Sequence, residues 1–142
     1  MISPEDADAH VRDPVILNKG RIYLAGPFRE LGQRILINEA RSIMRQMGME
    51  VFSPVHDVGR GPAEKVVRLD LEGLETCDAV FAILNGSSPG TLFEIGYAVR
   101  EKTPVFCVAQ NVRDVDMKLP VGAGCTIHQD FISALHLLAW RV

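Results

Sequence analysis

No stretch of this chain stays apolar for the roughly 18–20 residues a bilayer-crossing helix requires, although 47% of its 142 residues are hydrophobic. Nor do its basic residues gather into a block. The 15 Lys and Arg are scattered among 18 Asp and Glu, for a net charge of −3. A charge-driven grip on long nucleic acid is therefore not expected, whereas a small anion needs only one or two local donors. Cysteine is sparse: Cys77, Cys107 and Cys125 lie far apart, with no C-x-x-C pair and no His at ligand spacing. They read as reduced, mostly buried small residues, and a metal site has little support. The opening segment "MISPEDADAHVRDPV" is acidic and lacks the basic start and apolar run of a signal peptide. The expectation is a cytoplasmic protein with no membrane partner.

Familiar phosphate and nucleophile signatures are missing too. "GPFRE" fits neither G-x-x-x-x-G-K-[ST] nor G-x-G-x-x-G, so there is no NTPase loop and no dinucleotide fingerprint. No G-x-S-x-G elbow marks a serine hydrolase, and no internal repeat is visible.

What the chain does contain is alternation. Residues 1–19 are mostly polar with two prolines and read as a loose arm, leaving 20–142 as one domain. "RIYLAGPF" (Arg21–Phe28) reads as a strand entering a Gly-Pro turn. Leu31, Ile35 or Leu36, Ala40, Ile43 and Met47 then recur at helical spacing until Gly48. "MEVFSPV" is a second strand, followed by the loop "HDVGRGP", and Pro62 opens a helix reaching about Thr76. "CDAVFAIL" is a buried strand, "NGSSPG" a loop and "TLFEIGYAVREK" a helix. "PVFCVAQ", a short strand near "CTIHQ" and the helix "FISALHLLAW" complete the series.

Strands alternating with helices predict an α/β fold, a single flavodoxin-like (Rossmann-like) domain with helices on both faces of the sheet. About five parallel strands joined by right-handed crossovers favour the order 2-1-3-4-5. Ligands of such sheets sit at the carboxyl ends of the strands near the switch point. The loops "AGPFRE", "SPVHDVGRGP" and "NGSSPGT" are then the place to look.

One acid in "PGTLFEIGYAV" stands out, because Glu94 lies between Phe93 and Ile95. Burying an unpaired carboxylate is costly. Thr91 and Glu94 have the S/T-x-x-E form of a capping box, which would satisfy the acid locally. The alternative is chemistry. Asp70 in "RLDLEGLETCD" reads equally as part of a solvated helix face, Asp78 as a turn or cap residue, and Tyr23 as a half-buried strand residue.

In their order and spacing, "IYLAGPF", "DLEGLETCDAVFAIL" and "PGTLFEIGYA" closely resemble the nucleoside 2-deoxyribosyltransferase family, over about residues 21–110. The resemblance implies a flavodoxin-like fold and an enzyme acting on the N-glycosidic bond of a small nucleoside or nucleotide. It makes Glu94 in "FEIGYA" the candidate nucleophile, Asp70 in "DLEGL" the active-site aspartate, and Tyr23 in "IYLAG" the group that positions the nucleophile. Asp78 matches an acid of structural role. No metal or organic cofactor is implied, and a homodimer or higher homo-oligomer is.

One position departs from the transferase pattern. Six residues before the nucleophile, members that use free nucleosides carry an aspartate, and this chain carries Ser88. The related deoxynucleoside 5'-monophosphate N-hydrolases have a phosphate-contacting serine there, and an arginine matching Arg29 in "GPFR". An aspartate would repel a 5'-phosphate, whereas a serine can donate to one beside a helix N-terminus. Candidate substrate-binding residues are therefore Gly26, Pro27, Phe28 and Arg29 of the first loop, His56 of the second, and Ser87, Ser88 and Gly90 of the third. The plain alternative for "NGSSPG" is an ordinary hydrophilic loop, and for the whole chain a non-catalytic nucleotide-binding module.

Overall fold

The computed structural model describes residues 20–84, 88–110 and 112–142. The proposed N-terminal arm (1–19) and Ser87 lie outside the described residues. Five strands, β1 (Arg21–Ala25), β2 (Glu50–Phe52), β3 (Ala79–Leu84), β4 (Val105–Ala109) and β5 (Thr126–His128), form one parallel sheet. Its order is β2-β1-β3-β4-β5, the flavodoxin-like order that the strand–helix alternation predicts.

Among the described residues six α-helices connect and close it: α1 (Leu31–Gln46), α2 (Pro54–Asp57), α3 (Ala63–Glu75), α4 (Pro89–Arg100), α5 (Lys118–Gly122) and α6 (Phe131–Arg141). A 3-10 turn at Asp114–Met117 leads into α5. That turn, α5 and the four-residue α2 have no counterpart in the sequence reading, because such short segments carry no readable period. The second strand is also shorter than "MEVFSPV", since Pro54 opens α2 rather than ending a strand.

Alternation along each strand divides the core in two. Ile22, Leu24, Phe81, Ile83, Phe106 and Val108 face α1 and α6. Tyr23, Ala25, Val80, Ala82, Leu84 and Cys107 face α3 and α4. All of β3 is buried, as expected of a central parallel strand covered on both sides. In α1 the inward stripe is Ile37, Ala40 and Met44, while Leu31 and Ile35 are 74% and 54% exposed. The buried face is thus rotated from the one the apolar spacing proposes.

No helix among the described residues is long and apolar enough to cross a membrane. Cys77 and Cys107 are buried, Cys125 is half-buried, and all three are free thiols. Burial pushes the Cys77 and Cys107 thiols up to about 11 and about 12, so they are poor nucleophiles.

Candidate active site

The carboxyl ends of β1 and β2 open into a cavity of about 210 Å³. Leu24 and Gly26 line it from β1 and the residue beyond its end. Ser53, Pro54 and Val55 follow β2, Asp70 comes from α3, and Glu94 comes from the second turn of α4. This volume lies below the ~300–1,000 Å³ of ordinary ligand pockets. A larger cavity of about 810 Å³ lies by Asp114, Lys118 and Gln129, beyond β4 and β5, and contains none of the candidate residues.

Gly26, the residue after β1, packs closely against α1 and β3. A Cβ there would stand 2.8 Å from Ile37 Cδ1 and 3.2 Å from the Ile83 carbonyl oxygen. The strand therefore turns tightly between α1 and β3, and the first loop starts at the cavity wall.

The capping box does not form at Thr91. Helix α4 begins one turn earlier than its apolar pattern suggests, with Ser88 at the N-cap and Pro89 at the first helical position. Thr91 is the third residue of the helix. Its Oγ1 shares a 2.6 Å hydrogen bond with Ser88 Oγ, and both side chains are buried. Glu94 is consequently not spent on a cap. It is half-buried and turned into the cavity, while Phe93 beside it is 58% exposed. The acid faces inward and the aromatic ring outward, which reverses what hydrophobicity alone would place.

Burial pushes the Glu94 carboxyl up to about 8, the Asp70 charge adds to the rise, and the Tyr23 hydroxyl pulls it back. Burial likewise raises the Asp70 carboxyl. Asp70 is half-buried rather than on a solvated face, and its Oδ1 has no hydrogen-bond partner among the described residues. Tyr23 is fully buried instead of half-buried. Its hydroxyl approaches the Glu94 carboxylate closely enough to favour the ionised acid, yet makes no hydrogen bond of ordinary geometry among the described residues. Buried polar atoms without partners are rare, and each calls for an explanation such as a catalytic role or a bound group. The two helices that carry the acids are tied together, since the Tyr97 hydroxyl of α4 donates to the Glu75 carboxylate of α3.

His56 takes a different place from the cavity wall. Its Nδ1 pairs with Ser53 Oγ at 2.8 Å and its Nε2 with Asn38 Oδ1 at 2.9 Å, bracing α2 against α1. Burial lowers its pKa, with the nearby Arg41 charge adding to the effect. The Phe28 ring meets the His56 ring edge-on at 5.7 Å, and the Arg34 guanidinium covers Phe28 at 5.4 Å. Pro27 is half-buried, and Arg29 is exposed with its backbone N–H donating to Gln33 Oε1. Gly90 is exposed at the second position of α4, where a Cβ would meet open space. Asp78 is a staple: its Oδ2 accepts the Arg21 backbone N–H at 2.8 Å, tying the start of β1 to the start of β3. Ser53 and Val55 belong to the "SPVHDVGRGP" loop that the strand-end rule singles out, although neither carries an individual signal in the sequence. The signal available was their position directly after β2 at the carboxyl edge.

The model of the family described as nucleoside 2-deoxyribosyltransferase matches residues 22–131 of this chain. The chain belongs to that family. It is similar to the 2-deoxyribosyltransferase of Bacillus psychrosaccharolyticus, at 26% identity and a TM-score of 0.67, over 80% of this chain and 88% of that one. The 2-deoxyribosyltransferase of Leishmania mexicana shares the fold at 20% identity and a TM-score of 0.70, over 84% and 97%. So does the CMP N-glycosidase of Clostridium botulinum, at 19% identity and a TM-score of 0.60, over 76% and 85%. No curated protein sequence matches significantly. Family membership makes this chain an enzyme of the nucleoside 2-deoxyribosyltransferase kind.

Proposed function

We infer that this enzyme cleaves the N-glycosidic bond of a (deoxy)nucleoside 5'-monophosphate by nucleophilic attack of Glu94 on C1', with water as the usual acceptor. The observation that carries the reading is the convergence of Glu94 and Asp70 on one cavity, with the Tyr23 hydroxyl beside Glu94. Because Asp70 charge raises Glu94, the two carboxyls do not both ionise readily near neutral pH. At rest near neutral pH the shared proton sits on Glu94; the productive state is the minor one in which it has passed to Asp70, and the Tyr23 hydroxyl donates to the ionised Glu94.

The chemistry then runs in two displacements. Glu94 forms a bond to C1' as the bond from C1' to the base nitrogen breaks. The electron pair of that bond leaves with the base, and Asp70 supplies a proton or hydrogen bond to it. Water next attacks C1' and frees Glu94, returning a proton to the site. A second base at the same position would give exchange instead. No step calls for a cofactor.

The preference for a monophosphate rests on Ser88 and Arg29. Ser88 caps α4 without spending its hydroxyl on a backbone amide, and no acid occupies the first turn of that helix. An aspartate at this position would set a negative charge where the helix N-terminus favours an anion. A homo-oligomer is part of the same reading, and Leu92 and Phe93, 41% and 58% exposed on α4, offer it an apolar face.

The test is a substrate panel of deoxynucleoside 5'-monophosphates and the matching nucleosides, each with and without a second free base. Base release from monophosphates without an acceptor, abolished in Glu94→Ala, is the expected result. Exchange confined to free nucleosides would replace the hydrolase with a base-exchanging transferase. Unchanged release in Glu94→Ala would remove the mechanism altogether.

A further inference from the structure

The ring of Phe52 occupies space that a glycine on the neighbouring helix leaves open. Phe52 ends β2 directly opposite Tyr23 of β1 in the parallel register, so both side chains share the sheet face covered by α3 and α4. Their rings stack, with centroids 5.6 Å apart and planes 19° from parallel. The Arg21 guanidinium lies 5.4 Å from the Phe52 centroid and is held by Glu50 at 3.5 Å. From α3, Gly73 closes the arrangement: a Cβ there would overlap Cζ, Cε1 and Cε2 of the Phe52 ring. A glycine inside a helix is unfavourable relative to alanine, and this contact is what it permits.

Among the described residues the Tyr23 hydroxyl has no hydrogen bond of ordinary geometry to lock it, so packing holds the ring in place. The stacking partner is Phe52. We propose that Phe52, admitted by Gly73, is a positioning residue that fixes the Tyr23 ring so that its hydroxyl meets the Glu94 carboxylate. Its bearing on turnover rests on the reading of Glu94 as nucleophile; its bearing on the ionisation of Glu94 does not. The groups that act on Glu94 electrostatically are Tyr23 from β1 and Asp70 from α3, and Cys77, just beyond α3, acts on Tyr23. Phe52 is uncharged, so it reaches Glu94 only through where it sets the Tyr23 ring.

The experiment uses the full chain with Phe52→Leu, Gly73→Ala and both together, each in the wild-type and Tyr23→Phe backgrounds. Carboxyl-carbon NMR of glutamate-labelled protein, with the Glu94 signal assigned by its loss in Glu94→Gln, reads the ionisation midpoint without reference to turnover. Phe52→Leu is expected to raise that midpoint by about half a pH unit or more, as the hydroxyl moves off the ionised acid. It should lower kcat roughly tenfold while KM changes less than about twofold. In the Tyr23→Phe background it should add nothing to either quantity.

Gly73→Ala should lower Tm and shift the midpoint in the same direction. Adding Phe52→Leu vacates the ring's place, so Tm should recover to that of Phe52→Leu while the midpoint stays raised. An unchanged midpoint in Phe52→Leu, or an equal shift without the Tyr23 hydroxyl, would make Phe52 a packing residue and overturn the proposal. If the wild-type enzyme released no base from any substrate, the proposed function would fail, and the midpoints would still decide this point.

Discussion

Asp70 and Glu94 reach one cavity from neighbouring helices, and the charge of the first raises the pKa of the second. Neither helix needs an acid at that place for its own stability. Glu94 is free of the cap, and Asp70 leaves Oδ1 unpartnered among the described residues. Two acids held at a cost around a shared space are a common arrangement for moving one proton while one carboxylate attacks.

Removing the Asp70 charge separates its two effects. Asp70→Asn keeps the shape and burial but drops the Coulombic push on Glu94, so the Glu94 midpoint should fall below about 8. Base release should nevertheless slow by roughly 10²–10⁴-fold, because the amide cannot supply the proton. A titration followed by carboxyl NMR, run beside kcat measurements, checks both directions. A raised midpoint would mean that the Asp70 charge does not act on Glu94 as described.

Glu94 also makes stability depend on pH. Its pKa rises from an ordinary value of 4.5 to about 8 on folding. Below 4.5 the acid is protonated folded and unfolded, and its burial is tolerated. Between 4.5 and about 8 the unfolded chain gives up the proton while the folded chain keeps it, so stability falls as pH rises. Glu94→Gln removes that loss. It should unfold at higher urea than wild type at pH 9, by on the order of 3 kcal/mol, with the gap shrinking to near zero at pH 4. Its turnover should fall by roughly three orders of magnitude or more at every pH.

Asp78 supplies a contrast, an acid near the same sheet that acts at the opposite edge. Its carboxylate accepts the Arg21 N–H at the amino ends of β1 and β3, away from the cavity. Asp78→Ala removes that exposed acceptor and should cost about 0.5–1.5 kcal/mol in urea unfolding. The kcat of the folded fraction should remain within about twofold of wild type. A loss of kcat without a loss of stability would place Asp78 in the chemistry instead.

How much of this is legible in the sequence follows from what each feature depends on. The strand order is legible because buried parallel strands such as "AVFAIL" are nearly continuous apolar runs, and crossover handedness leaves few topologies. The start of α4 is not, because Thr91 and Glu94 satisfy the capping-box spacing equally well, and only the three-dimensional path makes Ser88 the cap. Leu31 and Ile35 mislead for a similar reason: an apolar residue in the first two turns of a helix need not meet the sheet below it. The pairing of Gly73 with Phe52 joins residues of different elements, and no local pattern announces it. His56 illustrates the limit for polar residues, since both ring nitrogens are committed to Ser53 and Asn38, 3 and 18 positions away.

On the proposed reading Ser88 faces the 5' end of the substrate, and charge at that one position should switch what is accepted. The side chain is buried at the start of α4, its hydroxyl paired with Thr91 Oγ1 at 2.6 Å. Ser88→Asp keeps an N-cap acceptor that suits a helix start, so the fold should hold and Tm should change little. The added carboxylate would repel a phosphate dianion while accepting a hydrogen bond from a 5'-hydroxyl. The ratio of kcat/KM for a deoxynucleoside 5'-monophosphate over its nucleoside should therefore drop by roughly 10²-fold or more. Arg29→Ala, which removes a cation without adding an anion, should lower the same ratio by a smaller factor and mainly through KM. If both ratios stay at the wild-type value, the phosphate is bound elsewhere and the monophosphate preference loses its basis.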